Sequence, residues 1–468
     1  MAIAYDLIII GAGPGGYTAA FKAAALGLKT AIIEKDKVGG VCLNRGCIPT
    51  KALLHASSLF SSLQHCDEFG VSTDFISFDF GKMQDYKNRS VRTYRDRVLE
   101  LLESSGVDLI RGTATIRRDK TVEVNSPEGK EYYQGSHIII AAGAKPIMPG
   151  IPGIELPGVW NSDRLLAAKT WNFDRLTIVG GGVIGVEFAT IFNGLCSNVT
   201  IIEKSGHLLG PMDEEISKEL EKVLVSKGIT VYCNAELQKL EDEGGLMAYV
   251  SHEGETLRLK AGQVLMSIGR VPCLDGLFGE DVEFQTKDGR LVVDKNFMTS
   301  VPDIYAVGDV AARIQLAHVA SAQGTYVVEN IAGREHGIKL SVVPSGMFIE
   351  LPIIPHCIYT DPEIATVGIT EAMAKEYQMK VRCGKYSMNG NGKSIISRED
   401  GGFIHLVFEA YSNTIVGAQI VCPRATDMIG EMATAIANGL TARQLSRAMR
   451  AHPTYGEGIA AAIEDAMR

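Results

Sequence analysis

The sequence predicts an α/β fold, because a pattern of buried strand, glycine turn, helix, second strand and acidic residue occurs in it twice. A second observation, two apolar strand patterns on either side of a turn near the C-terminus, predicts a smaller α+β domain. The length of 468 residues is enough for about three domains. We therefore expect two α/β units and one α+β domain.

The first copy of the pattern lies at the N-terminus, where the apolar run YDLIII leads into GAGPGG, an alanine-rich stretch and LKTAIIEK. Gly11 permits the tight turn, Gly13 lets the backbone approach a pyrophosphate, and Gly16 lets helix and strand pack closely. The N-terminus of the helix offers unpaired N–H groups to phosphates. Glu34, at the end of the second strand, can accept hydrogen bonds from a ribose. These features predict a dinucleotide-binding unit of the Rossmann type.

The second copy is RLTIVGGGVIGVEFATIFNGLCSNVTIIEK, in which Gly180, Gly182 and Gly185 take the glycine positions and Glu203 ends the second strand. One such glycine motif is a weak signal, whereas two complete units in one chain are specific. Two units imply two dinucleotides, or one dinucleotide and a vestigial site. A carboxylate near the ribose 2′-oxygen repels a 2′-phosphate, so Glu203 favours NAD over NADP as the second dinucleotide.

The segments between the motifs predict where the domains meet. HIIIAAGAKP closes a strand on small residues before a Pro/Gly-rich connection, and VLMSIGRVP has the same character after the second unit. TSVPDIYAVGDVA then supplies a strand that leads to Asp309, whose carboxylate could hold a polyol chain. A turn at Ser412–Asn413 centres the predicted C-terminal hairpin. The predicted parts are 1–145 and 271–340 for a first dinucleotide-binding domain, 146–270 for an inserted second one, and 341–468 for the α+β domain.

Composition excludes several classes of function. The chain is 46% hydrophobic with a net charge of −9, and it lacks a basic stripe with interleaved aromatic residues, so we expect no nucleic-acid partner. The densest basic stretch, KNRSVRTYRDRV at residues 87–98, is predicted to be a solvated helix face. No apolar run reaches the ~18 residues of a membrane span, and a first strand at about Tyr5 leaves no room for a signal peptide. We therefore predict a cytoplasmic protein that binds no membrane.

Cys42 and Cys47 stand in GGVCLNRGCIPTK, and four roles are open for them: metal ligands, a structural disulfide, two buried thiols, or a redox couple. A zinc site normally has four ligands, and this stretch lacks a CxxC or a histidine pair, so no metal site is predicted. A bridge needs a distorted or just-starting helix that brings the Cβ atoms within about 4.5 Å. Gly46 favours such a distortion, and Pro49 fits the first turn of a following helix. A helix N-terminus also lowers a thiol pKa, as a redox thiolate requires.

A second candidate for chemistry is the stretch RAHPTYGEG near the C-terminus, which places Glu457 shortly after His452. A carboxylate on one imidazole nitrogen fixes the tautomer and leaves the other nitrogen to accept a proton. Taken alone, such a pair is a surface pair more often than a catalytic one. On these residues alone both interpretations stay open.

The motifs GAGPGG, GGVCLNRGCIPTK, AAGAKP, GGGVIGVE, YAVGDV and AHPTYGE occur in the order typical of the pyridine nucleotide–disulfide oxidoreductases. The chain resembles this family over nearly its whole length, and most of all its members that oxidise dihydrolipoamide. The resemblance implies an FAD domain in two pieces, an inserted NAD domain and a C-terminal dimerisation domain. It implies oxidation of protein-bound dihydrolipoamide to lipoamide, with reduction of NAD⁺, through a redox-active Cys42–Cys47 disulfide. The implied partners are a second copy of the chain, as a homodimer, and lipoyl domains of a 2-oxo acid dehydrogenase complex or glycine cleavage protein.

The resemblance also assigns roles to single residues. Cys42 is implied to exchange with the substrate sulfur, and Cys47 to face the flavin as the charge-transfer thiolate. Lys51 is implied to lie near the flavin ring nitrogen, paired with Glu187 from the second unit.

The same resemblance makes His452, held by Glu457, the base that accepts the thiol proton, and implies that this histidine comes from the other subunit. It further implies contacts with both cofactors. The FAD contacts are Gly11, Gly13, Gly16, Glu34, Lys51, Gly112, Ala114, Gly143, Asp309, Leu316, Ala317 and His318. The NAD contacts are Gly180, Gly182, Ile184, Gly185, Glu187, Glu203, Leu237 and Gly269.

Some positions depart from the family pattern, and they bear on the substrate rather than on the disulfide chemistry. Arg45 stands between the cysteines, where a small apolar residue is usual, and Ala142, Tyr455 and Gly456 also differ from the usual choices. One alternative is a glutathione-reductase-like enzyme, which would favour NADP and which Glu203 therefore opposes. Another is a mercuric-reductase-like enzyme, whose expected C-terminal cysteine pair is not found in IEDAMR. A flavin-binding interaction protein without catalysis is the alternative outside the enzymes.

Overall fold

The computed structural model describes residues 3–337, 340–342, 351–399 and 401–468. Within these ranges the chain forms thirteen α-helices and three short 3₁₀ turns. The α-helices are α1 (Pro14–Ala25), α2 (Gly40–Arg45), α3 (Cys47–Gln64), α4 (Phe80–Ser104), α5 (Ser162–Leu166), α6 (Val183–Gly194), α7 (Glu214–Ser226), α8 (Ala317–Ile331), α9 (Glu371–Glu376), α10 (Gly392–Ser397), α11 (Ala425–Ala437), α12 (Ala442–Leu445) and α13 (Glu457–Met467). The 3₁₀ turns are Cys66–Phe69, Gly308–Val310 and Met388–Gly390.

The same ranges contain twenty-six strands. They are β1 (Ile3–Ile10), β2 (Thr30–Glu34), β3 (Asp108–Arg111), β4 (Thr113–Ile116), β5 (Thr121–Ser126), β6 (Gly129–Ile140), β7 (Ala144–Pro146), β8 (Val159–Asn161), β9 (Arg175–Val179), β10 (Asn198–Ile202), β11 (Thr230–Tyr232), β12 (Ala235–Asp242), β13 (Leu246–His252), β14 (Glu255–Lys260), β15 (Gln263–Met266), β16 (Arg270–Pro272), β17 (Thr286–Lys287), β18 (Arg290–Leu291), β19 (Ile304–Ala306), β20 (Ser341–Val342), β21 (Leu351–Pro352), β22 (His356–Ile358), β23 (Ile364–Gly368), β24 (Val381–Ser387), β25 (Phe403–Glu409) and β26 (Ile415–Val421).

The chain divides into two compact units, each made of segments that are separate in sequence. The first unit contains residues 1–150, 159–172 and 265–338, and the second contains residues 151–158, 173–264 and 339–468. The second glycine motif and the C-terminal sheet therefore belong to one unit. The division into four parts expected from the sequence stays a prediction.

The first unit is built on a seven-stranded sheet. Strands β3, β2, β1, β6 and β19 are parallel neighbours in that order, and β5 and β4 join beside β6 as antiparallel strands. Leu7, Ile8 and Ile9 of β1 are 0% exposed, and each such burial contributes roughly 1.5–3 kcal/mol. Helix α1 turns Ala19 and Ala23 to the core that contains Leu7 and Ile9, where small side chains let the helix lie close to the sheet. The carboxyl ends of the parallel strands form the edge at which such sheets bind ligands.

The second unit combines a parallel and an antiparallel part. Strands β9, β10 and β11 are parallel neighbours, with α6 after β9 and α7 after β10. The C-terminal part is a five-stranded sheet in the order β22-β23-β26-β25-β24, and it is antiparallel throughout. Helices α11 and α13 cover one face of it, and α9 covers part of the other. The hairpin predicted around Ser412–Asn413 is confirmed as β25 and β26.

The basic stretch at residues 87–98 lies on α4, as expected, but one of its members corrects the prediction of a fully solvated face. Lys87 is buried, and its ammonium donates to the Gln84 side-chain oxygen and to the Leu166 carbonyl oxygen, both at 2.5 Å. Burial lowers the pKa of Lys87 to about 8. Among the described residues, no helix has the length and apolar character that a membrane span requires.

Candidate active site

The first glycine turn, between β1 and α1, requires glycine at two positions. Gly11 has a φ of +101°, and a Cβ there would lie 2.4 Å from the Ala141 carbonyl oxygen. A Cβ on Gly16 would lie 1.8 Å from the Gly11 carbonyl oxygen, which is far too close. Gly13 is the N-cap of α1 and brings no side chain to cap it. The N–H groups of the first helical turn are therefore left for an anion.

Glu34, the last residue of β2, holds this turn from one side. One carboxylate oxygen accepts from the Ala12 N–H at 2.8 Å, and the other accepts from the Asp36 N–H at 2.8 Å. Glu34 is buried. The carboxylate is thus fixed beside the glycine turn, and its remaining lone pairs can accept from ribose hydroxyls.

The segment with the two cysteines is attached directly to the first glycine turn. The Gly39 N–H donates to the Ala12 carbonyl oxygen at 2.7 Å. Gly40, the first residue of α2, approaches so closely that a Cβ on it would lie 2.6 Å from the Gly13 Cα. Helix α2 therefore starts at the turn that is predicted to bind a pyrophosphate.

Cys42 and Cys47 form a disulfide, with their Cα atoms 4.7 Å apart. Helix α2 ends at Arg45 and α3 begins at Cys47, and the chain changes direction at Gly46 between them. The predicted break in the helix is confirmed, and Pro49 lies in the first turn of α3. Cys47 is the first residue of an 18-residue helix, a position at which the helix dipole stabilises a thiolate.

Two cationic residues lie close to the disulfide in sequence, one between the cysteines and one after them. Lys51 lies one helical turn after Cys47 on α3. Arg45 forms an ion pair with Asp36, whose carbonyl oxygen also accepts from Arg111 at 3.1 Å. The guanidinium between the cysteines is therefore directed at the loop that follows Glu34, the last residue of β2. The sequence alone did not reveal this pair, because only the attachment of α2 to the glycine turn brings the two residues together.

Two further segments of the first unit approach the turn. Helix α8 packs on α1 so closely that a Cβ on Gly324 would lie 2.5 Å from the Gly15 carbonyl oxygen. The 3₁₀ turn after β19 is tied to α8 by a hydrogen bond of 2.8 Å from the Gly308 N–H to the Gln323 side-chain oxygen. Asp309 lies in this turn, and burial raises the pKa of its carboxyl group. Hydroxyl groups of a polyol would supply the hydrogen bonds that a buried carboxylate needs.

The other predicted FAD contacts lie at strand ends or at the start of α8. Gly112 follows β3 with a φ of +151°, and Gly143 follows β6 with a φ of +70°. A Cβ on Gly143 would meet no described atom within 4 Å. Ala114 is buried in β4, Leu316 is the N-cap of α8, and Ala317 and His318 are the first two residues of that helix. Glycine turns, a buried carboxylate and two helix N-termini in one unit fit a bound dinucleotide.

The second glycine turn, between β9 and α6, repeats the geometry of the first. Gly180 has a φ of +106°, and Gly182 is an N-cap without a capping side chain. One oxygen of Glu203 accepts from the Gly181 N–H at 2.6 Å, and the other accepts from the Ser205 N–H at 2.6 Å. A Cβ on Gly182 would meet no described atom within 4 Å. The space above this turn is therefore open to a second dinucleotide.

The remaining predicted NAD contacts are divided between the two units. Ile184, Gly185 and Glu187 lie on α6, and Leu237 is buried in β12 of the same unit. Glu187 is 4% exposed and accepts a hydrogen bond of 3.1 Å from the Tyr359 N–H. Gly269, with a φ of +123°, belongs to the first unit instead.

His452 and Glu457 lie together in the second unit, as the motif predicted. Nδ1 of His452 is 2.9 Å from Oε1 of Glu457, and Oε2 accepts from the Thr454 N–H at 2.9 Å. The hydrogen bond from the Thr454 N–H, and to a smaller extent the one with the His452 imidazole, holds the pKa of Glu457 below its usual value. The His452 side chain is 78% exposed. The imidazole is thus oriented by a carboxylate and accessible to a proton donor.

The loop that carries the histidine is fixed by residues that the sequence did not single out. The Asn391 side-chain amide donates to the Thr454 carbonyl oxygen at 3.0 Å, and the Tyr455 hydroxyl donates to Glu399 at 2.7 Å. Burial raises the pKa of Tyr455 to about 12. Tyr455, one of the departures from the family pattern, therefore anchors the loop.

Comparison with known proteins decides the family. Residues 5–324 match the family model described as pyridine nucleotide-disulphide oxidoreductase, and residues 354–463 match the model of its dimerisation domain. The chain belongs to the pyridine nucleotide-disulphide oxidoreductase family. The predicted α/β fold class is confirmed, and so is the prediction of an FAD-dependent disulfide oxidoreductase. The family uses FAD and NAD(H), and the dimerisation domain supports the predicted homodimer.

Several curated members of this family are similar to the chain over its full length. A dihydrolipoyl dehydrogenase of Geobacillus stearothermophilus is 36% identical over 473 residues, which cover 100% of this chain and 97% of that protein. A dihydrolipoyl dehydrogenase of Bacillus subtilis is 36% identical over 475 residues, which cover 98% of this chain and 97% of that protein.

Two solved structures have a similar fold. The HOCl-induced flavoprotein disulfide reductase RclA of Escherichia coli, solved as a Cu(II) complex, has a TM-score of 0.85 at 27% identity and covers 99% of both chains. LpdA of Mycobacterium tuberculosis has a TM-score of 0.88 at 24% identity, also over 99% of both chains.

Proposed function

We propose that the chain acts as a dihydrolipoyl dehydrogenase, which oxidises protein-bound dihydrolipoamide and reduces NAD⁺. The observation that carries the proposal is the Cys42–Cys47 disulfide, held at the start of α3 by a helix that begins on the first glycine turn. The proposal is supported by relatives of that name at 36% identity over the full length.

The residues around the first turn are suited to FAD. The N–H groups at the start of α1 would hold the pyrophosphate, Glu34 the adenosine ribose, and Asp309 the polyol chain. Lys51, paired with Glu187, is proposed to lie near the flavin ring nitrogen. When bound, FAD supplies two-electron transfer between the cysteine pair and NAD⁺.

The cysteines perform the sulfur exchange. A substrate thiolate attacks Sγ of Cys42, the bond between Cys42 and Cys47 breaks, and Cys47 leaves as a thiolate. The second substrate sulfur then displaces Cys42 from the mixed disulfide. The substrate has lost two electrons and becomes a cyclic disulfide, and the enzyme pair has gained them. The position of Cys47 at the N-terminus of α3 stabilises the thiolate that results.

His452 is proposed as the base of this exchange. Only a thiolate attacks a disulfide, and a free thiol has a pKa of about 8.5. One substrate proton passes to the imidazole, which Glu457 orients, and the other ends on Cys42. We propose that the histidine acts on the disulfide of the other subunit of a homodimer, so that a single chain holds no complete site.

The second turn is suited to NAD rather than NADP. Glu203 would accept from the ribose 2′-hydroxyl and repel a 2′-phosphate. The next residue, Lys204, is already paired with Glu236 at 2.6 Å, so it offers little compensating charge to a phosphate. We place the enzyme in a reducing cytoplasm, with lipoyl domains of a 2-oxo acid dehydrogenase complex or a glycine cleavage protein as partners.

Turnover with purified protein tests the proposal. We expect bound FAD, and reduction of NAD⁺ by dihydrolipoamide that is much faster than reduction of NADP⁺. Cys42→Ser should lower this rate on the order of 1,000-fold or more, with the flavin retained, whereas Cys66→Ser in the same unit should keep full activity. Protein without flavin, or full activity of Cys42→Ser, would contradict the proposal.

A second candidate is a disulfide reductase that runs in the other direction, because RclA shares the fold over 99% of the chain at 27% identity. Arg45, which replaces the usual small residue between the cysteines, is the sequence feature in its favour. NADH oxidation with lipoamide, glutathione disulfide and Cu(II) as separate acceptors distinguishes the two. A preference for an acceptor other than lipoamide would favour this candidate.

A further inference from the structure

Three side chains of metal-ligating type meet in the C-terminal part of the second unit. Glu371, Cys383 and His405 each offer one ligand atom, and these atoms all lie within 4.8 Å of one another. The cluster contains neither of the redox cysteines and no residue assigned to either cofactor. All three residues are partly buried by the elements that carry them.

The register of the sheet explains why the three residues meet. Cys383 lies on β24 opposite Val407, and His405 lies on β25 opposite Lys385, so cysteine and histidine are diagonal neighbours on one face of the sheet. Glu371 is the first residue of α9, the helix that covers this end of the face. The cluster therefore joins an edge strand, its neighbour and a helix.

The Cys383 thiol and the Glu371 carboxylate already share a hydrogen bond, and the histidine is the least satisfied member of the cluster. Nδ1 of His405 is buried and has no hydrogen-bond partner among the described residues, although Oε2 of Glu215 lies 3.4 Å away. His405 as a whole is 9% exposed. Glu371 also pairs with Lys375 at 3.2 Å, but this lysine is 76% exposed and held only across one helical turn. A buried polar atom without a partner costs free energy, so a ligand that fixes the imidazole tautomer and lets Nδ1–H donate to Glu215 would be favoured here.

We propose that Glu371, Cys383 and His405 form a binding site for Zn²⁺. A thiolate, an imidazole and a carboxylate are the three ligand types that Zn²⁺ takes in proteins, and water would complete the tetrahedron. Ca²⁺ and Mg²⁺ bind oxygen ligands and would not select the thiol. Zinc bound through Nε2 of His405 would let Nδ1–H donate to Glu215, which is the usual support of a metal-bound histidine.

The proposed ion would link three elements of the fold. It would fix the start of α9 to β24 and β25, and through Glu215 it would reach α7 of the nucleotide-binding part. Since the folded site binds the ion and the unfolded chain does not preform it, zinc should raise the stability of the second unit. No sequence motif predicts this site, because its members come from three separate elements.

Zinc binding to the oxidised, flavin-loaded holoenzyme tests the proposal, because the Cys42–Cys47 pair then offers no thiolate. We expect about one tightly bound Zn²⁺ per chain in equilibrium dialysis. X-ray absorption at the zinc edge should show one sulfur at about 2.3 Å and nitrogen or oxygen ligands at about 2.0–2.1 Å. A spectrum without a sulfur ligand would overturn the proposal.

Variants distinguish zinc binding at this site from zinc binding by other cysteines of the chain. Cys383→Ser and His405→Asn should each weaken zinc binding at least about 10-fold, and Glu215→Gln should weaken it by roughly 10-fold. Cys196→Ser, an exposed cysteine of the same unit, is the matched control and should bind zinc like the parent. Unchanged binding by Cys383→Ser and His405→Asn would sink the idea, as would loss of the bound zinc only in Cys42→Ser/Cys47→Ser.

Discussion

The two glycine turns of this protein have nearly the same backbone. The first glycine has a φ of +101° at Gly11 and +106° at Gly180, and the N-cap glycines, Gly13 and Gly182, have φ values of −76° and −75°. In both units the acid at the end of the second strand accepts from the N–H that follows the first glycine, at 2.8 Å in one and 2.6 Å in the other. The turns alone would therefore suit the same kind of ligand.

The two turns differ in what surrounds them. Around the first, α2 touches Gly13 through Gly40, and α8 touches α1 through Gly324 and Gly15. Around the second, the Leu209 N–H donates to the Gly181 carbonyl oxygen at 2.9 Å, as the Gly39 N–H donates to Ala12 in the first. The difference lies at the N-cap, where a Cβ on Gly182 would meet no described atom within 4 Å. An enclosed turn favours a cofactor that stays bound, and an open turn favours one that is exchanged in every cycle. The segments around each turn, and not the glycine motif, therefore distinguish the two roles.

The largest expected effect comes from adding a side chain at Gly16, where the first glycine turn and α1 are most closely packed. In Gly16→Ala the new Cβ would stand 1.8 Å from the Gly11 carbonyl oxygen, so turn and helix must separate. We expect a loss of about 3 kcal/mol or more in the free energy of unfolding, and protein purified without flavin. Denaturant unfolding and the flavin absorbance of the purified protein measure both effects.

A second glycine of the same unit provides the control. A Cβ on Gly150 would meet no described atom within 4 Å, and its φ is not in the left-handed region. Gly150→Ala should therefore keep flavin and stability. If Gly16→Ala bound flavin like this control, the first turn would not be the enclosed site described above.

The second turn offers a glycine with free space at the N-cap of its helix, Gly182, which corresponds to Gly13 rather than to Gly16. In Gly182→Ala the Cβ enters space in which the protein makes no contact, so folding and flavin content should be unchanged. The methyl group would instead occupy room needed by the NAD⁺ pyrophosphate. We expect KM for NAD⁺ to rise about 100-fold, equal to about 2.7 kcal/mol, measured by steady-state kinetics. An unchanged KM together with a loss of flavin would reverse the roles of the two turns.

The sequence predicted the parts of this comparison that are local, and missed the parts that depend on packing. Strand, turn, helix and acid follow each other within one short segment, so Gly11 and Glu34 could be recognised from spacing alone. The broken helix at Gly46 followed from the reach of a disulfide between near neighbours. The ion pair of Arg45 with Asp36 could not be predicted, because no pattern shows that α2 folds back on the first turn. The buried position of Lys87 was missed for the same reason, since its partners lie on different elements.

Glu203 and Glu34 occupy matching positions in the two turns and allow the same substitution in both. Glu203→Gln replaces one carboxylate oxygen by an amide group that cannot accept from both the Gly181 and Ser205 N–H groups. We expect KM for NAD⁺ to rise about 10-fold, with a smaller preference over NADP⁺ because the negative charge is lost. Glu34→Gln is the matched change in the enclosed turn. It should keep bound flavin, since the other segments around that turn still hold it. A complete loss of flavin in Glu34→Gln would show that the enclosure contributes little.

The smallest expected effect concerns the ion pair of Arg45 with Asp36 beside the first turn. Arg45 and Asp36 are about half exposed, so the pair itself contributes at most about 1 kcal/mol to stability. Asp36→Asn would release the guanidinium, which could then stabilise the thiolate of the reduced cysteine pair.

We expect the midpoint potential of the cysteine pair to rise in Asp36→Asn by roughly 10–20 mV, equal to about 0.5–1 kcal/mol for two electrons. Redox titration of the flavin and thiol spectra measures this shift. The double variant Asp36→Asn/Arg45→Val lacks the cation and should show no rise. A rise of the same size in the double variant would exclude the Arg45 guanidinium as the cause of the shift. The geometry of the loop beside Glu34 would then be the physical difference between the two nucleotide-binding turns.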